Sequence, residues 1–165
     1  MSEAPSHHLD SHDESPDERA DRNFIELLQG FRVAVTGVQV LFAFLLTVPF
    51  SPGFAWASQT DRQLFYVALL GAAVASLCYI APAAQHRILF RQGQKELLVR
   101  RSNWIGVVGG VALGVSMTAA TLMVLDHLFD GLIPVLTAVA LAVGAAWLWF
   151  VQPLITRWRG HEEAQ

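Results

Sequence analysis

Four long stretches without a charged residue divide this chain: Val33–Phe50, Leu64–Ala84, Trp104–Leu125 and Leu132–Ile155, of 18, 21, 22 and 24 residues. None holds Asp, Glu, Lys, Arg or His. A helix rises about 1.5 Å per residue, so each stretch is of the length that crosses a hydrocarbon core about 30 Å thick. Transmembrane strands are shorter and alternate in polarity, and these stretches do neither. The pattern predicts an all-α membrane protein, a bundle of four transmembrane helices.

The flanks read differently. Residues 1–20, "MSEAPSHHLDSHDESPDERA", are polar and acidic and bury too little to offset the entropy of ordering, which predicts a disordered tail. His7, His8, Asp10, His12 and Asp13 are metal-ligating residue types within it. In so loose a segment they read as a solvated acidic tail, with no metal site. "DRNFIELLQGFR", residues 21–32, places Phe24, Ile25, Leu27, Leu28 and Phe31 on one helical face behind Asp21 as N-cap. It predicts a short amphipathic helix at the membrane interface. The four-span domain then occupies 33–157, and 158–165 form a polar tail. The acidic start lacks the basic region of a secretory signal peptide.

Composition sharpens the assignment. The 165 residues are 53% hydrophobic and only 15% charged, against roughly a quarter charged in soluble domains. Net charge is −3, which by itself names no partner, and no nucleic acid is expected among them. The single cysteine, Cys78, forms no internal disulfide and reads as a small apolar packing residue.

The basic residues are sorted along the chain. Arg19, Arg22 and Arg32 precede the first run; Arg87, Arg91, Lys95, Arg100 and Arg101 separate the second from the third; Arg157 and Arg159 follow the fourth. Only Arg62 falls on the other side. The positive-inside rule places both termini and the middle loop in the cytoplasm, which makes this a multi-pass plasma (inner) membrane protein. Trp56, Trp104, Trp147, Trp149 and Trp158 lie near the ends of the runs, where interfacial aromatics belong. Arg87, Arg91, Lys95, Arg100 and Arg101 are the expected contacts to anionic lipid headgroups.

Polar residues inside the runs are few. Thr36, Gln39 and Thr47 share one side of the first helix with Arg32 and Ala43. An amide without a partner in lipid costs several kcal/mol, so this stripe is expected to face protein, against the third span. There Gly106, Gly110 and Gly114, followed by Thr118, form a groove for close approach. Ala68, Ala72 and Ser76 repeat the spacing in the second run, and Ala138, Ala142 and Ala146 in the fourth. These rows are expected to pack the bundle, and the glycine row also suits a homo-oligomer. Between the last two runs, "LDHLFDG" gathers Asp126, His127 and Asp130 near the membrane. It reads either as a polar turn or as an entry site for a proton or cation.

Three segments carry a resemblance: "DRNFIELLQGFRVAVTGVQVLFAFLLTVPF", "YIAPAAQHRILFRQGQK" and the "MVLD" that ends the third run. They resemble a small actinobacterial membrane family of unknown function, some of whose members are labelled sodium:proton antiporter. The likeness covers about residues 21 to 130. It implies a four-span inner-membrane protein and brings no catalytic residues with it.

Exchange of a proton for sodium requires a group that binds either ion, normally a carboxylate near the midplane. No run contains one. The expected role is therefore a structural or accessory membrane protein without enzymatic chemistry or cofactor. Its partners are the bilayer, a second copy of the chain or a cytoplasmic protein. The alternative is a small oligomeric cation/proton transporter using Thr36, Gln39, Thr47 and Asp126.

Overall fold

A computed structural model describes residues 16–89 and 95–162. The described chain is helical throughout, apart from short connections. Helix α1 spans Pro16–Thr47, α2 Gln59–Leu89, α3 Lys95–Leu128, α4 Ile133–Ala146 and α5 Gln152–Glu162. Two 3-10 turns, Val48–Phe50 and Pro52–Trp56, join α1 to α2, and a π-helical turn, Trp147–Val151, joins α4 to α5. Four segments are long and apolar enough to cross a membrane: Ile25–Phe50, Gln59–Gln85, Arg100–Leu128 and Ile133–Thr156. This is a multi-pass membrane protein.

The start of α1 departs from the sequence expectation. The helix begins at Pro16, inside the stretch expected as tail, and Asp21 is an interior residue rather than its cap. Proline suits a first helical position because the N–H it lacks has no partner there. Nor does the 21–32 segment form a separate interfacial helix: α1 is unbroken to Thr47. Residues 1–15, with the His and Asp side chains of the tail, lie outside the described residues, as does Arg91 of the middle loop.

Local chemistry sets the other boundaries. Pro49 and Pro52 tighten the chain into 3-10 turns after Thr47. Ser58 and Asp61 then form a reciprocal cap: the Ser58 backbone N–H and hydroxyl donate to Asp61 Oδ2 at 3.0 and 2.8 Å, and the Asp61 N–H donates to Ser58 Oγ at 3.1 Å. Gly131, at φ 84°, makes the turn into α4 that other residues resist. Pro134 then sits in the first turn of α4. The π turn just precedes Pro153, whose missing N–H breaks the regular ladder and lets the wider turn form.

Among the described residues, the contact between α2 and α3 is the most extensive. A Cβ built on Gly71 would stand 2.8 Å from the Ala112 carbonyl oxygen and 2.9 Å from Ser116 Cβ; one on Gly109 would stand 2.9 Å from Cys78 Cβ. Ser116, fully buried, donates its hydroxyl to the Ala68 carbonyl at 2.6 Å. Helix α1 covers this pair with Val38 and Leu45, both buried, and with Phe31, Leu41 and Phe42. The large residues of α1 fill the space over Ala68, Ala72 and Ala75, which are fully buried. Helix α4 packs chiefly on α3. Its buried residues are Pro134 and Ala138, while Leu136, Val139 and Val143 lie on the outer surface.

The polar stripe of α1 faces the opposite way from its expectation. Thr36, Gln39, Ala43 and Thr47 are all exposed, and the α1 face toward the bundle is Phe31, Ala34, Val35, Val38, Leu41, Phe42 and Leu45. Shape is the physical reason. The alanines of α2 need bulky partners to reach interior density, and the apolar stripe supplies them where the threonine–glutamine stripe does not.

Candidate functional site

The polar side chains of the spans do not converge. The hydroxyls of Thr36 and Thr47 donate back to the carbonyls of Arg32, at 3.0 Å, and Phe44, at 2.7 Å. Ser76, Thr118 and Thr137 do the same with Ala72, Gly114 and Ile133, at 2.8–2.9 Å. These bonds satisfy the hydroxyl inside its own helix and leave little for a ligand. Gln39 lies on the outer surface of α1. Asp126 is exposed near the far end of α3, at the level of the α1–α2 connection. Gln39 precedes Thr47 by eight residues, so it lies about 12 Å deeper along the helix axis. The expected set Thr36, Gln39, Thr47 and Asp126 is not assembled into one site.

Two concavities do gather polar atoms. The first, about 360 Å³, sits under the α1–α2 connection against the end of α3. Asp61, His127, Ser51 and Met123 line it with Phe54 and Trp56. Asp61 is held by the Ser58 cap, while His127 reaches the cavity from the neighbouring helix end. Sequence reasoning grouped His127 with Asp126 and Asp130; the fold places it in the lining of one cavity with Asp61. The S-x-x-D spacing of Ser58 and Asp61 was a readable helix-start signal, but the approach of His127 exists only in three dimensions. Among the described residues, no group of three His, Cys, Asp or Glu is placed to hold a metal ion.

The second concavity, about 490 Å³, runs between α1, α3 and the π turn. Phe31, Tyr79, Asn103, Gly106, Gly110 and Phe150 line it. The Phe31 and Tyr79 rings meet at 5.6 Å and 44°. The row Gly106, Gly110, Gly114 therefore does not receive Gln39. It receives aromatic rings: Phe31 over Gly106, Phe150 over Gly110 and Trp149 over Gly114. Near the same end of the bundle, Gln85 Oε1 and the fully buried Ser102 Oγ have no hydrogen-bond partner among the described residues.

Three arginines of that end are open. Arg87, Arg100 and Arg101 are exposed, and Lys95 begins α3. The placement leaves the three arginines accessible to lipid headgroups or to a partner.

Comparison with known proteins narrows the identity to a family. Neither the curated proteins nor the solved structures contain a match. Residues 13–153, most of the chain and all of its first three spans, match a family of unknown function, and the protein accordingly belongs to that family, DUF6328.

Proposed function

We propose that this protein is a structural or accessory component of the plasma (inner) membrane and performs no enzymatic step. The observation that carries the reading is the use of the polar groups within the spans. Hydroxyls at Thr36, Thr47, Ser76, Thr118 and Thr137 close on their own helices, and the Ser116 hydroxyl closes the α2–α3 seam. Such an arrangement supports a packed scaffold rather than a chain of exchangeable ligands. Both termini and the α2–α3 connection lie in the cytoplasm on this reading. Its support is the ten-to-one distribution of basic residues about the spans. The exposed Arg87, Arg100 and Arg101 then present positive charge to anionic headgroups and cytoplasmic partners. A cysteine placed at the C-terminus, in a Cys78→Ala background, is expected to resist impermeant maleimide on intact cells; rapid labelling there would reverse the topology.

A second reading, cation/proton exchange by an oligomer, draws on the cavity shared by Asp61 and His127. A carboxylate and an imidazole at one membrane edge are suitable proton-handling groups. Proton flux in proteoliposomes with a pH-sensitive dye, under sodium or potassium gradients, separates the readings. The scaffold reading expects no cation-coupled flux from folded protein. Coupled flux abolished by Asp61→Asn or His127→Ala would replace it with the transport reading.

A further inference from the structure

Gln39 stands on the outer surface of α1, and the structure gives its side-chain amide no hydrogen bond. Its depth makes this position unusual. The membrane-length part of α1 runs Ile25–Phe50; Gln39 is fourteen residues from one end and eleven from the other, or about 21 and 17 Å at the helical rise. A glutamine side chain is too short to reach either interface from there. Hydrocarbon offers no donor or acceptor, and an amide left in it loses far more than a single hydrogen bond returns. The exposed threonines of the same helix escape this cost by bonding to Arg32 and Phe44. A glutamine amide, with two donors and an acceptor at the end of a longer side chain, is not satisfied in that way here.

We infer that the exposed face of α1 is a homodimer interface in which Gln39 meets Gln39 of a second copy. Two arguments choose this occupant. First, two copies inserted in the same sense carry Gln39 at the same depth, so a two-fold axis along the membrane normal brings the amides together. Second, an amide complements itself: each Nε2–H donates to the other's Oε1, giving two reciprocal hydrogen bonds. An isologous interface requires this self-complementarity. The neighbours permit it. Thr36 and Ala43, one turn to either side, are small and exposed. Small residues flanking a polar one let two helix backbones approach closely in lipid. The interface leaves intact the opposite face of α1, which packs on α2 and α3 through Val38 and Leu45.

The test is self-association in lipid. Protein labelled separately with donor and acceptor dyes, reconstituted at graded protein-to-lipid ratios, is expected to show concentration-dependent energy transfer. Gln39→Leu is expected to weaken association about tenfold, the scale of one to two interhelical hydrogen bonds in a membrane. Gln39→Asn, which keeps the amide, is expected to retain most of it. Since Gln39 is exposed and belongs to neither core cluster, helical circular dichroism and thermal unfolding of each variant should match the parent. A second measurement is independent of dyes. With Cys78→Ala as background, Thr36→Cys or Ala43→Cys is expected to form a disulfide-linked dimer under mild oxidation in native membranes. Leu77→Cys, exposed on α2, is expected not to. Energy transfer unchanged in Gln39→Leu, or cross-linking at Leu77→Cys equal to that at Thr36→Cys, would overturn the inference.

Discussion

Gly71→Ala is the sharpest probe of the packing. The added methyl would lie 2.8 Å from the Ala112 carbonyl oxygen, 2.9 Å from Ser116 Cβ and 3.2 Å from Ser116 Cα. None of these atoms is the free end of a flexible side chain. The two helices must therefore separate by about half an ångström or more, and a gap of that size forfeits a quarter or more of each dispersion contact it opens. It also stretches the 2.6 Å bond from Ser116 to the Ala68 carbonyl. Overpacking of a tight core costs about 1–3 kcal/mol. Against this, replacing a helical glycine by alanine gains up to about 1 kcal/mol of intrinsic propensity. The control is Gly144→Ala, where a Cβ meets nothing within 4 Å and only the gain applies. Unfolding in mixed micelles, titrated with SDS and followed by far-UV circular dichroism, measures both. The expected difference between the two variants is about 1–3 kcal/mol against Gly71→Ala. Equal stabilities would refute the close α2–α3 contact and the register built on it.

Two further outcomes follow from named hydrogen bonds. Ser116→Ala removes the cross-helix bond while keeping the shape of the site; the same SDS titration should show a loss of about 0.5–1.5 kcal/mol, the range of interhelical bonds in membranes. Asp61→Ala removes one half of a reciprocal cap at the start of α2 and should cost about 1 kcal/mol. Adding Ser58→Ala to that variant should cost little more, because the two side chains serve each other; additive losses in a double-mutant cycle would show that they act separately.

The four spans were legible because the signal is an absence of charge sustained over many residues. Seam positions were harder, and the reason is geometric. A row of residues at steps of four winds about 40° around the helix at each step. Ser76 is thus turned about 80° from Ala68. The real seam alternates steps of three and four: Ala68, Ala72, Ala75 and Tyr79 on α2, and Gly109, Ala112, Ser116 and Ala119 on α3. Ala68 and Ala72 belong to both rows and are buried; Ser76 belongs only to the first and is half-buried, bonded to its own helix. The row Gly106, Gly110, Gly114 has the same drift and meets rings from α1 and the π turn instead. The rings of Trp149 and Phe150 are carried by the π turn that precedes Pro153 in the last span, an effect on backbone path that periodicity does not encode. That Asp61 and His127 line one cavity depends on the folded α1–α2 connection and had no signal in either local motif.

The orientation of α1 shows what sorts side chains in this environment. In water, a stripe of threonine and glutamine faces out because the solvent welcomes it. In lipid that preference should reverse, and by polarity alone Gln39 belongs inside. Yet many of the buried residues here are small, among them Ala68, Ala72, Ala75, Ser102 and Ser116, while Phe44, Leu77, Trp104 and Leu148 lie outside. Lipid is as apolar as leucine, so burying a large apolar side chain gains little, and close approach of backbones gains contact over the whole helix. Packing geometry thereby outranks polarity within the chain: α1 offers Val38 and Leu45 to the alanines of α2 and leaves its polar stripe outward. The threonines of that stripe are satisfied locally. Gln39 is not, and its hydrogen bonds must come from beyond the monomer. The residue that fits the single-chain fold least well is therefore the one that points to the assembly.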